Sequence, residues 1–160
     1  MDWKKLQNGS DIRGVAMDGI EGEYVNLNIQ VASILGRAFS QWLSRQSGKP
    51  ESQLKIAIGR DPRITGRELG KALSNGIQAG LAKVYDAGIA STPAMFMSTQ
   101  FNEYQMDGAI MITASHLPFN RNGMKFFTPS GGLEKADISA ILELAGGFKP
   151  VDSKEPIVEN

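Results

Sequence analysis

The sequence predicts an α/β layered domain in which a mixed, mostly parallel sheet lies between helices. Two observations lead to this prediction. Segments with the helical period alternate along the chain with short apolar runs that are typical of strands. A length of 160 residues also suits one domain with a single hydrophobic core.

The first half of the chain contains a strand between two helices. Asn8-Gly9-Ser10 is typical of a turn before a strand. Apolar residues recur every three or four positions over residues 27–47, which predicts an amphipathic helix that ends at Gly48. Residues 54–58 alternate like a strand. A second helical pattern covers residues 68–81, and its glycines predict close packing against a neighbour.

The second half continues the alternation. Short apolar runs predict strands at residues 83–87, 108–113 and 124–127. A third helix is predicted from Thr92, a candidate N-cap, to about residue 102. A fourth helical pattern covers residues 138–144. Residues 149–160 have two prolines, several charges and no periodicity, so they predict a linker or disordered tail towards a missing second domain. The domain itself would therefore be residues 1–148.

Composition excludes several classes of function. The 17 basic residues balance the 17 acidic ones, so nucleic acid is not an expected partner. The chain has no cysteine, which excludes disulfides and thiolate metal sites. Neither a signal sequence nor an apolar run near 18 residues is present, so we expect no membrane partner and a cytoplasmic location, or the plastid stroma if a transit peptide has been removed.

The segment from residue 113 to residue 125 carries reactive side chains directly after the apolar strand. Ser115 offers a hydroxyl, His116 is the one histidine of the sequence, and Lys125 follows ten residues after the serine. Ligands of open α/β sheets bind at the carboxyl ends of strands. Each residue alone also fits a solvated loop or an exposed strand face, so only their combination indicates a site.

Two familiar chemistries do not fit the sequence. A serine hydrolase needs a base that a third group orients, and the Gly-x-Ser-x-Gly elbow is absent around Ser115. Residues 66–72 approach the phosphate-binding loop of nucleotide hydrolases, but their spacing is one residue short and Ala72 replaces the required hydroxyl.

Two further segments place arginines near predicted strands. The turn at residues 59–63 either binds an anion or pairs Arg60 with a nearby carboxylate. Residues 10–14 place Arg13 between apolar and flexible positions. Arginine suits phosphate because its planar fork donates two hydrogen bonds at once.

Taken in order, these segments resemble a known family. The resemblance rests on Asp-Ile-Arg-Gly at 11–14, Gly-Arg-Asp at 59–61 followed by Gly66, Thr-Pro at 92–93, Thr-Ala-Ser-His-x-Pro at 113–118 and Asn-Gly-x-Lys at 122–125. In these segments the chain is similar to the first domain of the α-D-phosphohexomutases, the phosphoglucomutase and phosphomannomutase group.

The resemblance implies a role for each matched residue. Ser115 would carry the phosphoryl group that is exchanged with a hexose monophosphate through a bisphosphate intermediate. Lys125 would be the general acid or base, and His116 would assist at the same centre. Binding of substrate or phosphate would fall to Arg13, Arg60 and Asn122.

The resemblance also implies cofactors and partners. Mg²⁺ would bind a phosphate oxygen on Ser115, while the aspartate-rich loop that completes its shell lies in a later domain outside this sequence. A hexose 1,6-bisphosphate would phosphorylate the serine. The expected partners are a hexose phosphate substrate and the remaining domains of the enzyme, without which the domain should be inactive.

One matched segment departs from the family pattern, because Leu117 replaces the asparagine that commonly follows the Ser-His pair. The change removes an amide that would hydrogen-bond within the loop. Together with the missing metal loop, it leaves a second hypothesis open, namely a stand-alone, non-catalytic module that binds sugar phosphate or a protein.

Overall fold

The computed structural model describes residues 1–151 and the backbone of residues 158 and 159. The α-helices of the described residues are Ile29–Ser47 (α1), Gly66–Ala79 (α2), Thr92–Met97 (α3) and Lys135–Ala145 (α4). Their strands are Gln7–Asn8 (β1), Asp11–Val15 (β2), Lys55–Arg60 (β3), Lys83–Ile89 (β4), Gly108–Ile112 (β5), Arg121–Thr128 (β6), Gly131–Gly132 (β7) and Val158–Glu159 (β8).

One mixed sheet carries these strands in the order β1-β2-β6-β5-β3-β4-β8, and β7 pairs with β6. The predicted mixed sheet between helices is confirmed. Strands β5, β3, β4 and β8 pair in parallel, whereas β1, β2, β6 and β7 form the antiparallel part and β6 joins β5 antiparallel. The connection 113–120 between β5 and β6 is shorter than the dozen or so residues that a parallel crossover needs, which explains the change of direction.

Helices cover the sheet unequally. The larger apolar cluster joins one sheet face to α1, α2 and α4, and a smaller cluster joins the other face to α3. Helices α1 and α2 approach closely where a Cβ on Gly76 would overlap the Ser33 carbonyl oxygen. This contact confirms the close packing predicted from the glycines of the second helix. Within the described residues, none of the helices has the length and apolar character needed to cross a membrane.

Several boundaries differ from those predicted. Ser91 caps α3 by accepting a hydrogen bond from the Ala94 amide, so the helix begins at Thr92 and ends at Met97 instead of near residue 102. The predicted turn at Gly9 is confirmed between β1 and β2, with a φ of 60°. Residues 152–157 and 160 of the predicted tail lie outside the described residues, and β8 pairs in parallel with β4. The division at residue 148 stays a prediction.

Candidate active site

Ser115 lies in the loop that leaves the carboxyl end of β5, beside the parallel end of β3. The residue is exposed, and its φ of 54° falls in the left-handed region. A residue with a side chain pays about 1–3 kcal/mol for such a conformation, which persists only where surrounding contacts impose it. Strain of this kind concentrates at functional sites.

Each polar group of Ser115 has a partner. Its amide donates to Thr113 Oγ1 at 3.0 Å, and its carbonyl accepts from Arg63 Nη2 at 3.0 Å. Its Oγ accepts from Arg13 Nη2 at 3.3 Å. These contacts fix the backbone on both sides of the residue while the hydroxyl faces a cation at the surface.

The cations come from the antiparallel half of the sheet. Asp11 and Lys125 are register partners on β2 and β6, and Lys125 Nζ donates to Asp11 Oδ1 at 2.6 Å. Arg13 follows Asp11 on the same strand face and donates to Asp11 Oδ2 at 3.2 Å and to the Ala114 carbonyl at 3.0 Å. Asp11 therefore joins Lys125 to the arginine that contacts Ser115.

The Asn-Gly pair at residues 122–123 lies where β6 packs beside Arg13 of β2. Gly123 is the register partner of Arg13, and a Cβ on it would overlap the Ile12 carbonyl oxygen and come within 3.1 Å of Arg13 Cγ. Glycine therefore allows β2 and β6 to approach while leaving room for the arginine. Asn122 is fully buried and donates from Nδ2 to Thr65 Oγ1 at 2.9 Å.

The structure brings some of the predicted site residues together and separates others. Ser115, Arg13 and Lys125 form one connected group through Asp11. His116 is exposed next to Ser115 and makes no hydrogen bond within the described part of the chain. Arg60 ends β3 on the neighbouring strand, and its Cδ lies near the first residue of α2. Asn122 is buried, and its side chain joins β6 to Thr65, directly before α2. Its predicted role in binding substrate or phosphate stays a prediction.

Sequence analysis did not assign a role to Arg63 or Asp61, although both belong to the charged turn after β3. Arg63 donates to four carbonyl oxygens of the loop that carries Ser115, those of Ser115, Leu117, Pro118 and Arg121. Asp61 Oδ2 accepts from Thr113 Oγ1 at 2.7 Å. A cluster of charges at a strand end was the available signal, but the carbonyl partners become neighbours only in the fold.

A second ion pair holds the end of the same loop. Glu23 accepts from Arg121 Nη2 at 2.6 Å, from Arg121 Nε at 3.1 Å and from Asn120 Nδ2 at 2.7 Å. The hydrogen bond from Arg121 is the main cause that lowers the pKa of the Glu23 carboxyl, and the one from Asn120 adds to it. Segment 16–28 is thereby tied to the end of the loop.

The described residues do not form a metal site on their own. They contain no group of three or more His, Asp or Glu side chains placed to hold an ion. Asp11, the carboxylate nearest the serine, already accepts from Lys125 with one oxygen and from Arg13 with the other. The predicted Mg²⁺ would therefore need ligands beyond these residues, and that prediction stays untested.

Fold and site together define a class of protein, the α/β layered domain that presents a serine among cations at the carboxyl end of its strands. Comparison with known families makes the assignment specific. A family model described as "Phosphoglucomutase/phosphomannomutase, alpha/beta/alpha domain I" matches residues 4–146. The chain belongs to this family, which confirms the resemblance found in the sequence.

Curated relatives agree with this assignment. A phosphoglucomutase/phosphomannomutase from Thermococcus kodakarensis is 35% identical over 139 residues, which cover 87% of this chain and 28% of the relative. A phosphoglucosamine mutase from Bifidobacterium animalis is 36% identical over 143 residues, covering 89% and 28%. The chain thus spans less than a third of the length of these relatives.

Solved structures share the fold. A phosphoglucomutase/phosphomannomutase family protein from Burkholderia thailandensis superposes with a TM-score of 0.69 at 26% identity, covering 89% of this chain and 30% of that one. A putative phosphomannomutase from Thermus thermophilus gives a TM-score of 0.72 at 23% identity, covering 96% and 32%. The second likeness concerns the fold alone.

Proposed function

We propose that the chain is the phosphoserine domain of a phosphohexomutase, which interconverts hexose 1-phosphate and hexose 6-phosphate through a bisphosphate intermediate. The observation that carries the proposal is the exposed Ser115, held at positive φ with its Oγ 3.3 Å from Arg13. The surrounding contacts hold this residue in a strained backbone conformation, and its hydroxyl lies beside a cation. Such an arrangement suits the transfer of an anionic group.

The transfer itself exchanges two oxygen–phosphorus bonds. The bond between phosphorus and Ser115 Oγ breaks, a bond from phosphorus to a hexose hydroxyl oxygen forms, and the hydroxyl proton ends on Oγ. The reverse transfer, after the bisphosphate has reoriented, restores the phosphoserine. Little covalent work is asked of the protein, so positioning and nearby positive charge supply most of the rate enhancement.

Arg13 has a donor suited to the phosphate. Its Nη2 reaches Ser115 Oγ, while its buried Nε has no hydrogen-bond partner among the described residues. The two nitrogens belong to one planar fork, which is the group that binds phosphate oxygens in pairs. We assign the binding of the phosphoryl group to this fork.

Lys125 and His116 complete the proposed machinery. Lys125 Nζ is the group assigned to proton exchange with the sugar hydroxyl, and Asp11 holds it at 2.6 Å. His116 stands exposed beside the serine and would assist there. Arg60, at the end of the next strand, would bind substrate or phosphate.

In this proposal Mg²⁺ would bind an oxygen of the phosphate on Ser115. Its other ligands would come from outside the described residues. Such an ion would neutralise charge on the phosphate. A hexose 1,6-bisphosphate is the proposed source of the first phosphoryl group. Which hexose is used, and whether the protein acts in the cytoplasm, stay predictions.

The test is to incubate the complete protein that contains this sequence with glucose 1,6-bisphosphate and to map the phosphate by mass spectrometry. We expect phosphate on Ser115 and none in the Ser115→Ala variant. Phosphate on another residue would refute the assignment. Binding of glucose 6-phosphate without any phosphoserine would instead support the non-catalytic sugar-phosphate module.

A further inference from the structure

We infer that Arg63 is the positioning residue of the proposed phosphoryl transfer, because it holds Ser115 in its left-handed conformation. The inference rests on the proposed function and adds a residue to it. Arg63 lies three residues after β3, on a different segment from Ser115, and its side chain is 14% exposed. It touches neither the serine hydroxyl nor the cations of the site.

Arg63 donates four hydrogen bonds to backbone carbonyls of residues 115–121 and forms an ion pair within its own turn. Nη1 donates to the carbonyls of Pro118 at 2.8 Å and Arg121 at 3.0 Å. Nη2 donates to those of Ser115 at 3.0 Å and Leu117 at 2.7 Å. The remaining nitrogen, Nε, lies 3.4 Å from Asp61 Oδ2 in an ion pair. A guanidinium has five N–H groups, and the four on Nη1 and Nη2 are all used on backbone carbonyls.

Asp61 connects this arginine to the other side of the serine. Its Oδ2 accepts from Thr113 Oγ1, which in turn accepts from the Ser115 amide at 3.0 Å. The amide and the carbonyl of Ser115 are thus both held, directly or through Thr113, by the turn after β3. A residue at positive φ needs such restraint on both sides, since it otherwise relaxes to a commoner conformation.

This arrangement also accounts for Leu117, the departure from the family pattern. The Leu117 amide donates to the Ala114 carbonyl, and the Leu117 carbonyl accepts from Arg63, so both contacts of this residue with the loop are made by its backbone. The loop is therefore held at this position without a side-chain amide. Because these contacts involve only the backbone of Leu117, the Arg63 contact does not depend on which side chain stands at this position.

The test compares Arg63→Lys with Arg37→Lys in the complete protein. A lysine ammonium keeps the charge but cannot reach four carbonyl oxygens in a fork. Arg37 is a matched control, because it is 20% exposed and pairs at 2.6 Å with Glu51, which precedes β3, whereas Arg63 follows that strand. Both variants are expected to melt at a lower temperature than the wild type.

The readouts separate positioning from stability. For Arg63→Lys we expect kcat and the rate of Ser115 phosphorylation to fall by about 100-fold, as displacement by about 1 Å can cause, with KM for hexose phosphate little changed. For Arg37→Lys we expect kcat to stay at the wild-type value. If Arg63→Lys also keeps kcat, or loses only thermal stability, the positioning role is refuted.

If the wild-type protein shows no phosphoryl transfer at all, the proposed function is refuted. A second measurement keeps the inference about Arg63 testable in that case. Amide hydrogen exchange at Ser115 and Leu117, followed by NMR, reports on the loop without any reaction. Faster exchange in Arg63→Lys, but not in Arg37→Lys, supports the positioning role. Unchanged exchange in both variants overturns it.

Discussion

At the scale of single residues, Glu23 shows how one carboxylate supports the end of the loop that Arg63 also contacts. It accepts two hydrogen bonds from Arg121 and one from Asn120, which together lower its pKa in the folded protein. A carboxyl whose pKa is lower when folded stabilises the protein above its unfolded pKa, and this contribution is lost as the pH falls through the folded value. The ordinary value for this group is 4.5.

The change Glu23→Gln tests this. At pH 7 we expect the variant to melt at a lower temperature than the wild type, and the difference to shrink as the pH falls below the ordinary value of 4.5 and through the lower pKa of folded Glu23. Thermal melting followed by circular dichroism between pH 3 and pH 7 measures it, with Glu143→Gln on the exposed face of α4 as control. A pH-independent difference would contradict this account of Glu23.

The arrangement of the site was only partly predictable from the sequence. The fold connects Ser115, Arg13 and Lys125 through Asp11, and the roles that the resemblance implies for them stay predictions. Ser115 and Lys125 were singled out in the sequence because their segment directly follows a buried strand. Arg63 was not, because its partners are carbonyl groups more than 50 positions away, and carbonyl groups leave no mark on the sequence. The burial of Asn122 against Thr65 was not predictable, because a buried amide and an exposed one look alike in sequence.

At the scale of elements, periodicity predicted the helices and the longer strands, since those patterns are repeated over many residues. It did not predict β1, β7 or β8, each of which has two residues and depends on the strand beside it. The glycines of the second helix predicted that it packs closely against a neighbour, and this neighbour is α1. That contact allows a prediction about stability.

The change Gly76→Ala would place a Cβ against the Ser33 carbonyl oxygen of α1, a backbone atom that cannot move alone. We expect the free energy of unfolding, measured with urea, to fall by about 3 kcal/mol, because overpacking exceeds the gain in helix propensity. Gly70→Ala in the same helix is the control, since its Cβ would meet only the end of the Ile112 side chain at 3.3 Å. That variant should change stability by about 1 kcal/mol or less, and equal effects of the two would refute the packing argument.

At the scale of the whole molecule, this chain spans about 28% of the length of the mutases it matches, and its site offers a serine and cations without a metal-binding cluster among the described residues. We therefore expect the chain of 160 residues to fold but not to interconvert hexose phosphates. Cooperative thermal unfolding would show the fold. Conversion of glucose 1-phosphate to glucose 6-phosphate, with a trace of glucose 1,6-bisphosphate and Mg²⁺, measures turnover.

The complete protein is the positive control in that assay, and its Ser115→Ala variant is the negative one. The expected loss of activity has a physical reason. Phosphoryl transfer depends on positioning the sugar and the charges around the phosphate, and the effective concentration of the sugar hydroxyl falls when the sugar is not held. In the proposed function Arg13 and Lys125 act at the phosphate of Ser115, and the further domains would hold the hexose ring. Turnover by the chain alone at a rate near that of the complete protein would show that the site described here is sufficient, and the proposed dependence on further domains would be wrong.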